Sequence, residues 1–379
     1  MTAPLKVGIT GADGLIGWHV RCALLAEKGV EAIPAGRAQF ADSASLEAFV
    51  ADCDAIVHFA GQNRGEEEDV YATNVGLAEQ LVAACRARDV QPHLLFSNST
   101  HSLGESRYGT SKRDAAAVMG EWAKSDGGRF TDMVLPHVFG EHGKPFSNSV
   151  VHTFCYQIAN QEAPQIDHDG NLELLHASDV AALVLECIRI AINEPDASET
   201  VTCVQPRGVV MKVSELLTRV TAFDDSYRNR RTIPDLRAPI DLRLFNTYRA
   251  ALYPHYFPVD LKLHCDNRGS LFEAVRDDNG GQTFLSTTHP GITRGNHYHY
   301  HKVERFLVVA GEAVIRIRRL YDDEVMEFAV SGARPQFVDM PTLHTHEITN
   351  VGDDDLLTLF WSHEVFNPET PDTVWEEVR

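Results

Sequence analysis

The sequence reads KVGITGADGLIG over residues 6–17. Its first five residues are typical of a short buried strand, and residues 15–28 place apolar side chains at helical spacing. Gly11, Gly14 and Gly17 separate these two elements. Glycines at such a junction permit a tight turn, the close approach of a pyrophosphate and the packing of the helix on the strand, while the N–H groups that open the helix attract phosphates. The stretch therefore predicts a turn that binds the phosphates of a dinucleotide cofactor.

Strand-like and helix-like segments alternate from this turn to residue 135. After the first pair, the predicted strands are residues 29–35, 55–60, 93–97 and 129–135, and the predicted helices are residues 45–51, 70–88 and 108–124. Apolar strands that alternate with helices indicate a parallel sheet covered on both faces. We therefore predict an α/β fold with a doubly wound parallel sheet of the Rossmann type.

The pattern changes near residue 252, where we expect a domain boundary. Beyond it, turn signals such as Pro290-Gly291 recur at short intervals between β-rich segments. Many short strands with regular turns are typical of a sandwich or barrel. We predict an α/β domain over residues 1–252 and an all-β domain over residues 253–379.

Composition and charge exclude several classes of function. The 379 residues are 44% hydrophobic and 23% charged, as in ordinary globular proteins. There is no uncharged apolar run of the ~18–20 residues that a membrane span needs, and the N-terminus lacks a signal-peptide pattern. A formal charge of −20 argues against a general binder of nucleic acid or anionic membranes. The seven cysteines are scattered without a C-x-x-C pair, which favours reduced thiols in the cytoplasm.

The end of the second predicted strand bears on the choice of coenzyme. An NAD site usually carries an acidic residue there to hold the ribose hydroxyls. This sequence has Pro-Ala-Gly at residues 34–36, followed by Arg37. A guanidinium can hold a 2′-phosphate, so NADPH is favoured over NADH. The alternative is that Arg37 is a solvated loop residue.

Tyr108 and Lys112 form a Y-x-x-x-K pair, and this spacing places both side chains on one face of a helix. An ammonium beside the phenol can lower the pKa of the tyrosine, which then exchanges a proton at a carbinol carbon. A purely structural pair is the alternative. Ser99 and Thr100 end the preceding strand, and either hydroxyl could hold the substrate oxygen. We select Ser99.

These features together resemble the extended short-chain dehydrogenase/reductase family over residues 5–250. Further stretches that match the family are DAIVHFAG at residues 54–61, Asn74, PHVFG at residues 136–140 and ASDVA at residues 177–181. The resemblance implies Tyr108, Lys112 and Ser99 as catalytic residues and a nucleotide-sugar substrate. It implies a cofactor site formed by Gly11, Gly14, Leu15, Ile16, Gly17, Arg37, Ala60, Tyr108 and Lys112. Candidate substrate contacts are Lys144, Asn148 and Arg231, with surface solvation as the alternative for each.

Histidines are concentrated in the last third of the chain. Nine of the 18 lie within residues 253–379, and His297, His299 and Glu304 follow Gly291 in the pattern G-x5-H-x-H-x4-E-x6-G. His346 belongs to a second pattern, P-x4-H-x3-N. Residues two apart on a strand point to the same side, and three imidazoles with one carboxylate suit Zn, Fe, Mn or Ni.

The two patterns resemble the two cupin motifs over residues 260–379. The resemblance implies a barrel that binds one divalent metal per chain, for which we favour Zn, through His297, His299, Glu304 and His346. Leu343 stands where the second motif often has glycine. His346 is preferred to His344 because of its distance from Asn350. A metal-free cupin with polar interior histidines is the alternative.

The order of the two parts resembles the family of bifunctional capsular polysaccharide biosynthesis enzymes, nearly end to end. The supporting stretches include KPFSNSV at residues 144–150, TFCY at 153–156 and PGITRGNH at 290–297. The resemblance implies that the cupin domain epimerises a UDP-4-keto-6-deoxy-N-acetylhexosamine at C3. The reductase domain would then reduce the 4-keto group with NADPH to UDP-2-acetamido-2,6-dideoxy-L-talose, a precursor of UDP-N-acetyl-L-fucosamine.

Several points stay open at this stage. The candidate bases for the C3 step are His301, Lys302 and Tyr298. The cupin could instead be a dimerisation or sugar-binding module without chemistry, and a non-catalytic nucleotide sensor is a third alternative. A homodimer through the C-terminal domain is expected from the family, and neither nucleic acid binding nor membrane insertion is expected.

Overall fold

A computed structural model of the protein describes residues 3–193, 200–267, 269–278 and 280–379. The chain divides into two compact units. The first comprises Met1–Phe139 and Asn171–Met211, and the second comprises Gly140–Gly170 and Lys212–Arg379. The chain therefore passes between the units more than once, and the boundary expected at residue 252 coincides with the end of a helix inside the second unit. That boundary stays a prediction.

Strands and helices alternate through the first two thirds of the chain. In order they are β1 (Leu5–Thr10), α1 (Leu15–Ala26), β2 (Val30–Ala35), α2 (Arg37–Ala41), α3 (Ser43–Ala51), β3 (Ala55–His58), α4 (Glu67–Arg88), β4 (His93–Ser99), a 3-10 helix (Thr100–Leu103), α5 (Arg107–Asp126), β5 (Arg129–Leu135), β6 (His137–Phe139), α6 (Val150–Ala159), β7 (Asn171–His176), α7 (Ala177–Asn193), β8 (Val201–Val204), β9 (Val209–Lys212), α8 (Val213–Asp224), a π-helical turn (Asp225–Asn229) and α9 (Pro239–Leu252).

The remainder of the chain is built from strands. They are β10 (Val259–Asp260), β11 (His264–Asp266), β12 (Gly269–Leu271), β13 (Gln282–Thr288), β14 (Thr293–Tyr298), β15 (Glu304–Ala310), β16 (Glu312–Arg319), β17 (Val325–Ser331), β18 (Gln336–Met340), β19 (His344–Asn350), β20 (Leu356–Ser362) and β21 (Val374–Trp375).

A six-stranded parallel sheet forms the centre of the first unit, in the order β2-β1-β3-β4-β5-β8. The strand order reverses at β1. The connections that follow β1 and β3 therefore run to opposite faces of the sheet, and a crevice lies between them at the carboxyl ends of these strands. In open α/β sheets such a reversal is the usual place for a ligand. The predicted parallel α/β sheet is confirmed.

Two apolar layers cover this sheet. Ile56 of β3 belongs to the layer that includes α3, α4 and α5, whereas the next residue, Val57, belongs to the layer that includes α1 and α7. Alternation along a strand that is buried on both faces explains why the strands are apolar throughout. The helix α2, which contains Arg37, lies where the sequence patterns predict no helix, because five residues are too few to show helical periodicity.

Ten strands of the second unit form two five-stranded sheets, and β11 and β12 form a separate pair; all paired strands are antiparallel. The orders of the two larger sheets are β10-β18-β15-β20-β13 and β17-β16-β19-β14-β21. The ring centroids of Phe306 on β15 and His346 on β19 are 5.6 Å apart, so side chains of the two sheets meet. The predicted all-β region is confirmed.

Helices of the second unit share a buried polar junction with these strands. The Arg305 guanidinium donates to both carboxylate oxygens of Asp339, at 2.7 and 2.9 Å. The Tyr227 hydroxyl donates to the same carboxylate at 2.6 Å. Arg249 of α9 donates to the Met340 carbonyl at 2.7 Å. Loss of one donor would leave a buried carboxylate less well compensated, so Asp339 holds the turn that carries Tyr227 against β15. The Arg249 bond holds α9 to the end of β18.

Within the described residues, no helix is long and apolar enough to cross a membrane. All seven cysteines are free thiols.

Candidate functional site

The glycine turn between β1 and α1 leaves no room for larger residues. Gly11 has a φ of 67°, and a Cβ added there would lie 2.7 Å from the Ala60 backbone nitrogen. A Cβ on Gly17 would lie 2.3 Å from the Gly11 carbonyl oxygen. Leu15 and Ile16 open α1, which has no side-chain cap and no acidic residue in its first turn. The turn therefore has the form and the electrostatics that a pyrophosphate requires.

Thr10, which the sequence patterns did not single out, connects the turn to the end of β3. The Ala60 backbone N–H donates to the Thr10 hydroxyl oxygen at 3.2 Å, and that oxygen lies 2.8 Å from His58 Nδ1. Burial lowers the pKa of His58 to about 3, so its ring is neutral. A neutral Nδ1 can accept the threonine proton while the threonine oxygen accepts from Ala60. This bond pattern holds Ala60 beside Gly11.

Arg37 is exposed at the first residue of α2. Ala35, two residues earlier, pairs with Thr10 across the β1–β2 ladder, which brings the end of β2 next to the glycine turn. In the described parts of the chain, the Arg37 guanidinium has no ion-pair partner. Its predicted role toward a 2′-phosphate stays a prediction.

Ser99 and Tyr108 are brought together by the start of α5. The Ser106 hydroxyl caps this helix by accepting from the Gly109 N–H at 3.0 Å. Tyr108 follows in its first turn, and its hydroxyl is hydrogen-bonded to the Ser99 side chain. Thr100, the alternative hydroxyl, instead begins the 3-10 helix. The structure thus places Ser99 and Tyr108 where both can contact one substrate oxygen.

Burial has the largest influence on the pKa of Tyr108. Burial raises the pKa of Tyr108, and the Ser99 hydrogen bond only partly offsets it. The sequence analysis expected the neighbouring ammonium to lower that pKa; in the structure the net direction is upward, because desolvation of the phenolate outweighs the local hydrogen bond. Tyr108 is consequently protonated at neutral pH, which suits a proton donor.

Lys112 is buried one helical turn further along α5. Its side chain is 6% exposed, and burial lowers its pKa to about 8, with the Asp132 carboxylate acting in the opposite direction. The ammonium lies 4.3 Å from the centre of the Phe96 ring. Asn98 donates to Asp132 at 3.0 Å and keeps that carboxylate in place. A buried ammonium that is still charged near neutral pH provides a fixed positive charge one helical turn from Tyr108.

Asn74 links the loop after β3 to α5. Its amide donates to the Ser111 hydroxyl and to the Gln62 carbonyl, each at 2.9 Å. Ser111 in turn donates to the Tyr108 carbonyl at 2.7 Å. This chain of bonds fixes the first turn of α5 relative to the strand ends.

The three predicted substrate contacts lie in the second unit. Lys144, Asn148 and Arg231 are all exposed. Arg231 donates to the Tyr256 hydroxyl at 2.5 Å. Their role as substrate contacts stays a prediction.

The four predicted metal ligands converge in the second unit; we call them the His–Glu cluster. Ligand atoms of His297, His299, Glu304 and His346 all lie within 4.8 Å of one another. The Glu304 carboxylate is 3.1 Å from His299 Nε2 and 3.4 Å from His346 Nε2. His297 stands opposite His346 in the β14–β19 ladder, and Glu304 opens β15 in the other sheet.

The tautomers of the cluster suit a metal. His346 Nδ1 lies 3.1 Å from the His344 carbonyl oxygen, and His299 Nδ1 donates to the Asp372 carbonyl. With Nδ1 protonated in both rings, both Nε2 atoms carry lone pairs directed at the cluster. His299 and His346 are buried, whereas His297 and Glu304 are partly exposed. The donor set therefore fits one divalent cation, with access from the His297 and Glu304 side.

The pKa shifts of the cluster residues indicate a site that attracts positive charge. Burial lowers the pKa of His297 to about 3. Burial also opposes ionisation of Glu304, but His299 and His346 outweigh it and hold the pKa of that carboxyl well below its usual range. Glu304 is thus ionised. Glu304 raises the pKa of His299 against the effect of burial, so His299 is the most readily protonated imidazole of the cluster.

His344 and His301 occupy different environments from the cluster. The His344 ring packs 4.9 Å from the ring of Tyr253, and its Nδ1 bonds the Thr342 carbonyl at 2.9 Å. Leu343, the departure from glycine noted above, has a φ of 58°, a left-handed conformation that glycine adopts with less strain. His301 is exposed, 3.6 Å from Asp372 and 4.0 Å from Glu364.

Comparison with known proteins agrees with this architecture. Residues 7–200 match the NAD dependent epimerase/dehydratase family, and residues 264–374 match the polysaccharide biosynthesis C-terminal domain. The chain belongs to the NAD-dependent epimerase/dehydratase family.

Individual relatives extend the similarity to the whole chain. The chain is 32% identical over 372 residues to the UDP-2-acetamido-2,6-β-L-arabino-hexul-4-ose reductase of Pseudomonas aeruginosa, covering 97% of this chain and 98% of the relative. The structure of the capsular polysaccharide assembling protein CapF from Staphylococcus aureus is 33% identical, with a TM-score of 0.62 and coverage of 98% and 100%. A structure of CapF with the inhibitor 3-isopropenyl-tropolone is 32% identical, with a TM-score of 0.57 and coverage of 99% and 100%. The predicted resemblance to CapF-type enzymes is confirmed.

Proposed function

We propose that this protein is a bifunctional nucleotide-sugar enzyme that epimerises a UDP-4-keto-6-deoxy-N-acetylhexosamine at C3 and then reduces its 4-keto group. The observation that carries the proposal is that one chain brings together two groups of reactive side chains, the Ser99–Tyr108–Lys112 set and the His–Glu cluster. Similarity along the whole chain to a 4-keto-sugar reductase supports the substrate class. The product would be UDP-2-acetamido-2,6-dideoxy-L-talose, a precursor of UDP-N-acetyl-L-fucosamine for capsule or O-antigen synthesis.

The reduction needs a proton donor beside the ketone oxygen. A nicotinamide coenzyme, when bound, supplies the hydride that reaches the carbonyl carbon. Tyr108, protonated because burial raises its pKa, gives its proton to the ketone oxygen. Ser99 donates a hydrogen bond to the same oxygen, and the charge of Lys112 stabilises the tyrosinate that remains. The ketone becomes a secondary alcohol, and the coenzyme leaves oxidised.

The C3 step needs a base and a means of stabilising the enolate. The hydrogen at C3 is acidic because the neighbouring C4 is a ketone. A base removes this proton, and the enolate is reprotonated on the opposite face, so the step is redox-neutral. A divalent metal, when bound, provides electrostatic stabilisation for oxygen anions. His297, His299, Glu304 and His346 would hold it, with Zn as the favoured ion.

Among the candidate bases, the structure best supports His301. Its ring is exposed and lies 3.6 Å from the Asp372 carboxylate and 4.0 Å from the Glu364 carboxylate. Tyr298 is fully buried, and Lys302 is 6% exposed. A base has to reach the sugar, and His301 is the most accessible of the three.

A reductase whose all-β region has no chemistry is the second candidate. The name of the Pseudomonas aeruginosa relative specifies a reductase activity alone, which favours this alternative. The two candidates differ in whether the protein acts on C3 in the absence of coenzyme.

The coenzyme is proposed to be NADPH, and the protein is proposed to act as a cytoplasmic homodimer. Arg37 and the lack of an acidic residue after β2 support NADPH. A homodimer through the all-β region rests on the family resemblance alone.

Replacing Tyr108 by phenylalanine tests the reductase site. Tyr108→Phe should bind NADPH normally but lose ketone reduction by about 10²-fold or more, because the general acid is missing. Stopped-flow or steady-state NADPH oxidation with the keto-sugar measures this. Tyr71→Phe, whose hydroxyl bonds Asp114 at 2.8 Å on the neighbouring helix, is the control and should retain activity. Near-normal turnover by Tyr108→Phe would refute the assignment.

Replacing Arg37 tests the coenzyme. Arg37→Ala should weaken NADPH binding far more than NADH binding, because only NADPH carries the 2′-phosphate. Fluorescence titration with each coenzyme gives the two dissociation constants. Arg88→Ala, an exposed arginine at the end of α4, should change neither. Equal losses for both coenzymes in Arg37→Ala would place Arg37 outside the 2′-phosphate site.

Elemental analysis tests the metal site. Wild-type protein expressed with ample Zn, Fe, Mn and Ni should contain close to one divalent metal per chain. His299→Ala should lose it, because three ligands hold the ion less tightly and one coordination position opens. His255→Ala, an exposed histidine of the same unit, should retain it. Wild-type protein without metal that still acts on C3 would show that the ligand set is wrong.

A further inference from the structure

The last residues of the chain lie along the strand that carries the first ligand of the His–Glu cluster. The strand β21 pairs antiparallel with β14, where Trp375 lies opposite His297. The Glu376 N–H donates to the Asn296 carbonyl, and the Val378 N–H donates to the Asn296 side-chain oxygen, each at 3.0 Å. Asn296 has a φ of 59° and lies at a β-bulge that immediately precedes His297. The Glu376 and Val378 N–H groups therefore pair with the acceptors of Asn296, whose backbone is irregular next to this ligand.

Asp372 contacts the loop that follows the second ligand through both its main chain and its carboxylate. Its carbonyl oxygen accepts from His299 Nδ1. Its Oδ1 accepts from the Tyr300 N–H at 2.9 Å, and its Oδ2 accepts from the His301 and Lys302 N–H groups at 3.0 and 2.8 Å. The side chain of Asp372 is 5% exposed. Three backbone donors on one buried carboxylate fix the loop that connects the second and third ligands.

The same segment reaches the strand of the fourth ligand. The Thr345 hydroxyl, next to His346, donates to the Glu376 carbonyl. Arg318 of β16 donates to the Val378 carbonyl at 2.9 Å, which holds the chain end against the sheet. Residues 372–378 thus contact His299 directly. They also contact Asn296 and Thr345, which adjoin the ligands His297 and His346 in sequence.

We propose that residues 372–378 position the ligands of the His–Glu cluster, with Asp372 as the principal positioning residue. The inference rests on the proposed metal site and adds to it a requirement for the C-terminal segment. Groups that hold the second nitrogen of a ligating imidazole set its tautomer and orientation, and their loss lowers metal affinity. Without the Asp372 carboxylate, three N–H groups of the loop after His299 would lose the acceptor that holds them, and the loop would adopt more than one conformation. Binding a cation would then require this loop to become ordered again.

Metal affinity in full-length variants tests the proposal. Metal-stripped wild-type protein, Asp372→Ala, Asp372→Asn and Glu369→Ala are titrated with Zn²⁺ against a chromophoric chelator at fixed pH. Asp372→Ala should bind Zn²⁺ about 10–100-fold more weakly than wild type. Asp372→Asn should lose less, because its amide oxygen can still accept from two of the three N–H groups. Glu369→Ala removes an exposed carboxylate just before residues 372–378 and should match wild type.

A spectroscopic measurement separates positioning from general stability. The visible absorption bands of bound Co²⁺ report ligand geometry, and they should shift or broaden in Asp372→Ala at saturating Co²⁺. Wild-type affinity and an unchanged spectrum in Asp372→Ala would overturn the proposal. If Asp372→Ala does not fold, Asp372→Asn decides: an intermediate loss supports the proposal, and wild-type affinity overturns it. A wild-type protein that binds neither ion would refute the metal site itself.

Discussion

The ionised Glu304 carboxylate requires positive charge beside it, and the arrangement of the second unit depends on this requirement. Moving a carboxylate out of water costs several kcal/mol unless a partner compensates for the lost hydration. Glu304 opens β15 of one sheet, while His346 on β19 of the other sheet and His299, the residue after β14, lie 3.4 and 3.1 Å from it. The charge pair therefore holds side chains of the two sheets together at one end. A bound cation would satisfy the same carboxylate more completely, because neutral imidazoles could then all act as ligands.

The first unit uses burial for a different chemical purpose. Its lysine stays positive near neutral pH although burial lowers its pKa to about 8, and its tyrosine stays protonated because burial raises its pKa. A neutral phenol beside a fixed positive charge is ready to give a proton and to tolerate the anion that remains. The proposed C3 step needs the opposite arrangement, a site that takes a proton and stabilises an enolate. The ketone at C4 makes the C3 hydrogen acidic in the first step and is itself reduced in the second. Because both steps use this one group, both sites would belong to one chain.

Sequence patterns predicted the features that depend on local spacing. The glycine turn, the Tyr108–Lys112 pair and the His–Glu cluster each follow from short motifs, and the parallel sheet follows from alternation of strands and helices. The partners that complete each site are distant in sequence. Asp372 contacts a residue 73 positions away, and the Thr10 contact with Ala60 spans 50 positions. No local pattern contains that information.

Two other features could not be predicted from the sequence, for physical reasons. The direction of the Tyr108 pKa depends on how much solvent the fold removes, and a pair of residue types cannot specify that. The packing of residues 212–252 with the all-β region involves a buried junction at Asp339, whose donors, Tyr227 and Arg305, come from two separate segments. The sequence does show that these segments are irregular, but it does not show what they pack against.

Isotope exchange at C3 tests the central claim, which is that this protein acts on the sugar at two carbons. Metal-replete wild-type protein is incubated in D₂O with the UDP-4-keto-6-deoxy-N-acetylhexosamine and without any coenzyme, and the sugar is followed by proton NMR beside a sample without protein. The account predicts that the C3 proton signal disappears as deuterium enters, while the C5 proton, which also neighbours the ketone, keeps its background rate. If C3 exchanges no faster than in the sample without protein, while the same preparation reduces the epimerised ketone once NADPH is added, the protein is a reductase alone and the account is contradicted.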